Sequence, residues 1–122
     1  MKRKATIRIR RDVGEALKDL RTGFLAAWGS GEYQGEVFEF ESPAALFRLL
    51  TPKRWELLER LQSEGPQGVR ALARLLERDV KRVHEDVQVL LRAGLIEKDE
   101  TGKLFVPFAE IKADFALRGE AA

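Results

Sequence analysis

The sequence predicts an α+β fold, and three observations carry that prediction. Apolar and polar residues alternate near both ends, in Ala5-Thr6-Ile7-Arg8-Ile9-Arg10 and in Ile111–Leu117, the period of a half-buried strand. Between them, apolar residues recur at spacings of three and four, the period of a helix with one buried face. Helix starts marked by Ser-Pro and Thr-Pro, and stops marked by glycine, divide the middle of the chain into short helices followed by a hairpin.

The first strand is expected over 5–10, and Lys2, Arg3 and Lys4 before it read as a solvated start, with a minor-groove arm as the alternative. A helix follows from Asp12, where Asp12 and Glu15 have capping-box spacing. Val13, Leu17, Leu20, Phe24 and Trp28 line one side of it, and Gly29-Ser30-Gly31 ends it. The segment 32–41 carries Glu32, Glu36, Glu39 and Glu41, and Val37–Glu41 alternates in part, so a short acidic strand fits there. It complements the basic strand at 6–10, and the two are expected to pair.

Ser42-Pro43 starts a helix that buries Ala45, Leu46, Leu49 and Leu50. Thr51-Pro52 starts the next, from 52 to about 64, with Trp55, Leu58 and Leu61 inward and Gly65-Pro66 as its stop. Val69, Leu72, Ala73 and Leu76 mark a short helix, and the chain breaks around Glu77-Arg78-Asp79. Asp79 is placed to cap a helix over 80–93, which buries Val80, Val83, Val87, Leu90 and Leu91 and ends at Gly94. Leu95–Lys98 and Lys103–Val106 then flank Asp99-Glu100-Thr101-Gly102, a hairpin with glycine where positive φ is needed. The alternation from Ile111 to Leu117 makes a last strand, able to join the N-terminal strand of its own chain or of a partner.

Composition removes several function classes. The chain of 122 residues has no cysteine and one histidine, His84, which excludes a disulfide scaffold, a zinc finger, a cysteine nucleophile and a multi-histidine metal site within one chain. No glycine-rich phosphate loop is present, so an enzyme is not expected, nor any cofactor or metal. No apolar run reaches 18 residues and no signal peptide is visible, so the expected location is the cytoplasm, away from membranes. The net charge of +2 permits a nucleic-acid partner without demanding one.

Helix, short helix, break, longer helix, hairpin is the order of a winged helix-turn-helix. In that geometry the second helix of the pair enters the major groove and the hairpin reaches the backbone. On the helix from Val80, the apolar positions leave Lys81, Arg82, His84, Glu85 and Gln88 outward, with Arg78 just before it. Arginine bonds guanine in bidentate fashion, glutamate accepts from cytosine and glutamine reads adenine, so these are candidate base contacts. Lys53, Arg54, Arg70, Arg74, Lys98 and Lys103 are candidate contacts to the DNA backbone. A solvated helix face is the competing reading of such a charge run, and residues 66–98 hold seven basic and five acidic residues, a margin of only +2. Glu85 or Asp86 pairing with Arg82 one turn back would lessen the acidic contribution. For His84, a phosphate or base contact and a half-exposed histidine without a role are both open. Trp28 and Trp55 read as core or interface anchors.

Three stretches also resemble a known family: "TPKRWELLERLQ" from Thr51, "LARLLERDVKRVHEDVQVLLRAGLIE", and "FVPFAEIKADFAL". Together they resemble small MarR-like winged-helix DNA-binding regulators, similar to the antitoxin or autoregulator half of prokaryotic toxin–antitoxin pairs. The resemblance covers roughly residues 37–117, and Arg78–Val87 is its most specific part. Where such proteins often cap the first helix of the pair with Ser or Thr, this chain has Gly68. The resemblance implies sequence-specific binding of double-stranded DNA, autorepression and, in the antitoxin form, a cognate toxin as a protein partner. The alternative is a winged-helix protein–protein adaptor that binds no DNA.

Two segments are therefore expected. Residues 1–41 form a strand-helix-strand extension, and residues 42–122 form the winged-helix domain with its C-terminal strand. The extension's apolar helix needs a cover, either its own domain or a second copy of the chain, and a homodimer held by Leu20, Phe24 and Trp28 is favoured, since two-fold regulators bind two half-sites.

Overall fold

A computed structural model describes residues 3–10 and 35–117. Among these, five strands and four helices follow in the order β1 (Arg3–Ile9), β2 (Glu36–Phe40), α1 (Pro43–Leu49), α2 (Pro52–Glu64), α3 (Val69–Leu76), α4 (Val80–Ala93), β3 (Glu97–Lys98), β4 (Leu104–Phe105) and β5 (Phe108–Asp114). The fold is α+β, in an order compatible with a winged helix. The chain divides into two compact units, one of Met1–Leu46 with Glu110–Ala122 and one of Phe47–Ala109. The division falls after Leu46 instead of after Glu41, and the segment from Glu110 groups with the N-terminal strands and not with the helices. The expected helix over 12–28, including Leu20, Phe24 and Trp28, lies outside the described residues.

The first unit is built on a sheet of order β2-β1-β5. β1 and β2 run parallel, with Ala5 opposite Glu36, Ile7 opposite Phe38 and Ile9 opposite Phe40. Parallel neighbours need a crossover of a dozen or more residues, which the chain between Ile9 and Glu36 is long enough to supply. The expected charge complementarity takes a definite form: Arg3 Nη2 lies 2.8 Å from Glu36 Oε1, and Arg10 Nε lies 3.1 Å from Glu39 Oε1. The strand begins two residues earlier than the alternation suggests, so Arg3 and Lys4 belong to β1 and are not a disordered start. Ala5 and Ile7 are fully buried, as the period of two requires. Gly35, at φ +93°, leads into β2, and a Cβ there would stand 3.2 Å from the Lys4 carbonyl oxygen. β5 pairs with β1 of the same chain, but it starts at Phe108, three residues before the expected Ile111.

The second unit packs helices around Leu57, Leu58, Leu61, Leu72, Ala73, Val83, Val87, Leu90, Leu95, Ile96, Leu104 and Phe108, all buried. Local chemistry sets each boundary. Thr51 caps α2, its hydroxyl accepting from the Arg54 amide at 3.3 Å, and Pro52 follows at the first helical position. Gly94, at φ 85°, ends α4; its amide reaches the Leu91 carbonyl and the Leu95 amide reaches that of Leu90. Trp55 and Val80, expected in the core, are 36% and 39% exposed, and Ala45, Leu49 and Leu91 are only half-buried. Leu57 takes the inward position beside Leu58 and Leu61, and Val80 stands at the first turn of α4, before the Val83–Val87–Leu90 stripe begins. Among the described residues no helix is long and apolar enough to cross a membrane.

Candidate nucleic-acid interface

The site rests on α3, a tight turn and α4. α3 turns Leu72 and Ala73 inward, while Arg70 and Arg74, four residues apart, stay exposed on one side. The turn is made by Glu77, which adopts the left-handed conformation at φ 53°, ψ 45° without being glycine. Its amide donates to the Arg74 carbonyl at 3.1 Å, and the Arg78 amide donates to that of Ala73 at 3.0 Å. Two residues later Asp79 caps α4, its carboxylate accepting from the Arg82 amide at 3.2 Å. α4 buries Val83, Val87 and Leu90, one face at helical spacing. That orientation leaves Lys81, Arg82, His84 and Glu85 exposed and Gln88 half-buried. Lys81, His84, Glu85 and Gln88 share a stripe, along which Gln88 Nε2 lies 3.4 Å from His84 Nε2.

Lys53, Arg70, Arg74, Lys81, Arg82, Lys98 and Lys103 are also exposed, and none of their side chains forms an ion pair among the described residues. The suggested pairing of Arg82 with Glu85 or Asp86 is not made.

Arg54 and Arg78 do not stand in solvent as expected of DNA contacts. Both face inward, toward Asp86. Arg54 Nε lies 2.9 Å from Asp86 Oδ1, and Arg78 Nη2 lies 2.7 Å from Asp86 Oδ2. The three side chains are 20%, 16% and 14% exposed, in the order Arg54, Arg78, Asp86. Arg54 Nη1 also donates to the Arg48 and Leu49 carbonyls, at 3.3 and 2.9 Å, and so caps the end of α1. Arg78 Nη1 is buried without a hydrogen-bond partner. These guanidinium groups therefore tie α2, the turn and α4 together instead of standing ready for DNA. Burial pushes the Asp86 carboxyl up, but the bonds from Arg78 and Arg54 outweigh it and hold the carboxyl below its usual range. No local pattern in the sequence marks this cluster: Arg78 lies eight residues before Asp86, across a turn, and Arg54 lies 32 before it.

Arg70, Ala73, Arg74, Glu77, Arg78 and the exposed Val80 line an open groove in front of the turn.

After α4 the chain forms the hairpin. β3 and β4 pair antiparallel, Glu97 opposite Phe105 and Lys98 opposite Leu104. Asp99 organises the turn: one carboxylate oxygen accepts from the Thr101 hydroxyl at 2.7 Å and from the Thr101 and Lys103 amides at 2.9 Å each. The hydroxyl and the Lys103 amide are the main reasons its carboxyl sits below the usual range. Gly102 supplies φ 85°. On the far side of β4, Gln67 and Leu104 exchange both backbone bonds, at 2.9 and 2.8 Å, which anchors the hairpin to the segment before α3. Lys98 and Lys103 project from it into solvent.

A family model matches residues 49–113, more than half of the chain. The chain belongs to the HVO_A0114 family. No curated protein and no solved structure matches it. The HVO_A0114 match runs from the end of α1 almost to the end of β5. It therefore includes every candidate contact from Lys53 to Lys103 and the Asp86 cluster, and it leaves out β1 and β2. The HVO_A0114 region is thus nearly coextensive with the helical unit and the hairpin.

Proposed function

We propose that the protein is a homodimeric, sequence-specific double-stranded DNA-binding regulator of the MarR-like winged-helix kind, an autorepressor that serves as the antitoxin of a toxin–antitoxin pair. The observation that carries the reading is the first half of α4: Lys81, Arg82, His84 and Glu85 stand exposed there, directly after a tight turn. In this reading α4 lies in the major groove, with Lys81, Arg82 and Glu85 on base edges and His84 and Gln88 beside them. The hairpin is the wing, and Lys98 and Lys103 hold it on the backbone with Lys53, Arg70 and Arg74. Occupying the protein's own promoter excludes polymerase, which gives repression without catalysis. The chemistry needs no cofactor, and the place of action is the cytoplasm.

The test is an electrophoretic shift with DNA from upstream of the protein's own gene, against a scrambled duplex, at about 50 and about 200 mM salt. The reading requires selective binding that weakens steeply with salt. No shift with either duplex would overturn it and favour the protein–protein adaptor, for which the narrow charge margin of residues 66–98 argues. Replacing Lys81 and Arg82 together by alanine is expected to abolish selectivity while circular dichroism stays unchanged. Unchanged selectivity would move the reading face elsewhere.

A further inference from the structure

The sheet of the first unit has two edges among the described residues, β2 and β5, and their charges are arranged differently. On β2, Glu36 and Glu39 are neutralised from within the sheet by Arg3 and Arg10, and Arg10 Nη1 also lies 3.7 Å from Glu41. On β5, Glu110, Lys112 and Asp114 are exposed, alternate in sign along one face, and form no ion pair among the described residues. An edge strand presents unpaired amides and carbonyls, and an exposed one is a template for another strand.

We infer that the β5 edge pairs antiparallel with β5 of a second copy of this chain, with the two-fold axis at Ile111. That register is self-complementary. It sets Glu110 opposite Lys112 of the partner copy twice, Ala109 opposite Ala113 twice, and Ile111 opposite itself. Shifting the axis by one residue, to Lys112, sets Lys112 against Lys112 and Glu110 against Asp114. Shifting it to Glu110 sets glutamate against glutamate. Ala109 and Ala113 are exposed and small, so two chains can approach there. Gln62 Nε2 donates to the Phe108 carbonyl at 3.0 Å and to the Ala109 carbonyl at 3.4 Å, so the start of β5 is engaged within the chain and the pairing is centred beyond it; the Ala109 oxygen keeps a second lone pair for a strand partner. The inference takes from the proposed function only that the protein is a homodimer, and its test contains no DNA, so its failure is distinct from a failure to bind DNA.

Charge reversal of the full-length chain tests it by sedimentation over a range of concentrations, because a seven-residue edge is smaller than a standard interface. The unmodified protein is expected to dimerise. Glu110→Lys and Lys112→Glu each set like charges opposite one another twice, and each is expected to weaken dimerisation about tenfold or more. Mixing the two variants is expected to restore a dimer, since the paired lysines of one chain then face the paired glutamates of the other. Both positions are exposed, so circular dichroism is expected to show both variants folded. A monomeric unmodified protein overturns the inference, as does Glu110→Lys dimerising normally or a mixture that stays monomeric.

Discussion

Replacing Asp86 by alanine is expected to lower stability by about 2–4 kcal/mol, far more than loss of a surface ion pair would. Asp86 bonds Arg54 at 2.9 Å and Arg78 at 2.7 Å, and all three side chains are at most one-fifth exposed. A hydrogen bond to a charged group contributes about 1.5–3 kcal/mol, and two would give roughly 3–6. Removing one partner from a fully buried pair costs about 3–5 kcal/mol, because a charge is left without compensation. Here water reaches the group in part, which lowers the figure to about 2–4. Arg54 keeps its bonds to the Arg48 and Leu49 carbonyls, so the end of α1 stays capped while α4 loses its tie to α2. The assay is urea unfolding at neutral pH, read as a shift in midpoint with unchanged slope. Arg78→Ala leaves Asp86 one arginine and is expected to cost less than Asp86→Ala. The double variant is expected to be clearly non-additive, because both residues belong to one network. A loss below about 0.5 kcal/mol for Asp86→Ala would place the cluster with exposed ion pairs and refute the reasoning.

The pH dependence follows from the same cluster. The folded carboxyl of Asp86 is depressed, so its contribution is fully present above the unfolded value of about 3.9 and is lost as pH falls through the folded value. Urea midpoints are expected to fall more steeply on acidification in the unmodified protein than in Asp86→Asn; equal slopes would remove Asp86 from the acid response. Glu77→Val places a β-branched residue in the left-handed region and is expected to lower stability by about 1–2 kcal/mol, whereas Glu77→Asn is expected to be neutral or better, both measured by urea unfolding. Asp99→Ala removes the acceptor for two amides and a hydroxyl, and faster hydrogen exchange at the Thr101 and Lys103 amides is the expected sign. Lys103→Ala is expected to weaken binding to all DNA sequences alike and to reduce the log–log salt slope by about 1; a change confined to one base pair would contradict a backbone contact.

The helical boundaries are legible in the sequence because their causes are local. Thr51-Pro52, Asp79 and Gly94 act within one turn of their own positions, and α2 and α4 run over the residues that those signals bracket. Burial is less legible where a helix turns a large side chain outward. Size and spacing point Trp55 inward, yet Leu57, Leu58 and Leu61 fill the inward side of α2. The start of β5 is hidden because Pro107-Phe108-Ala109-Glu110 does not alternate cleanly. The strand there is defined by its pairing with β1, which is a tertiary fact. The candidate contacts divide in the same way. The exposure of Lys81, Arg82, His84 and Glu85 follows from the period of α4 alone, whereas the fate of Arg54 and Arg78 depends on a carboxylate brought to them by folding.

That carboxylate also changes how the charge of the site should be weighed. By sequence, residues 66–98 exceed neutrality by only +2, a weak footprint for a polyanion. Net charge, however, counts buried and exposed groups alike. Asp86, the acid next to Glu85, is paired from inside with Arg78 and Arg54, so its field is largely cancelled before it reaches the outer face of α4, and Arg78 leaves the set of exposed cations with it. Asp79 is engaged as a helix cap. Lys53, Arg70, Arg74, Lys98 and Lys103, in contrast, are exposed and unpaired among the described residues. Counterion release responds to the cations that meet phosphates and not to the sum over the chain. On the proposed DNA-binding reading, a near-neutral domain with these cations around a mixed-polarity helix predicts a modest electrostatic contribution with discrimination carried by α4. A uniformly basic domain would have the reverse balance, with tight binding to every sequence and little preference among them.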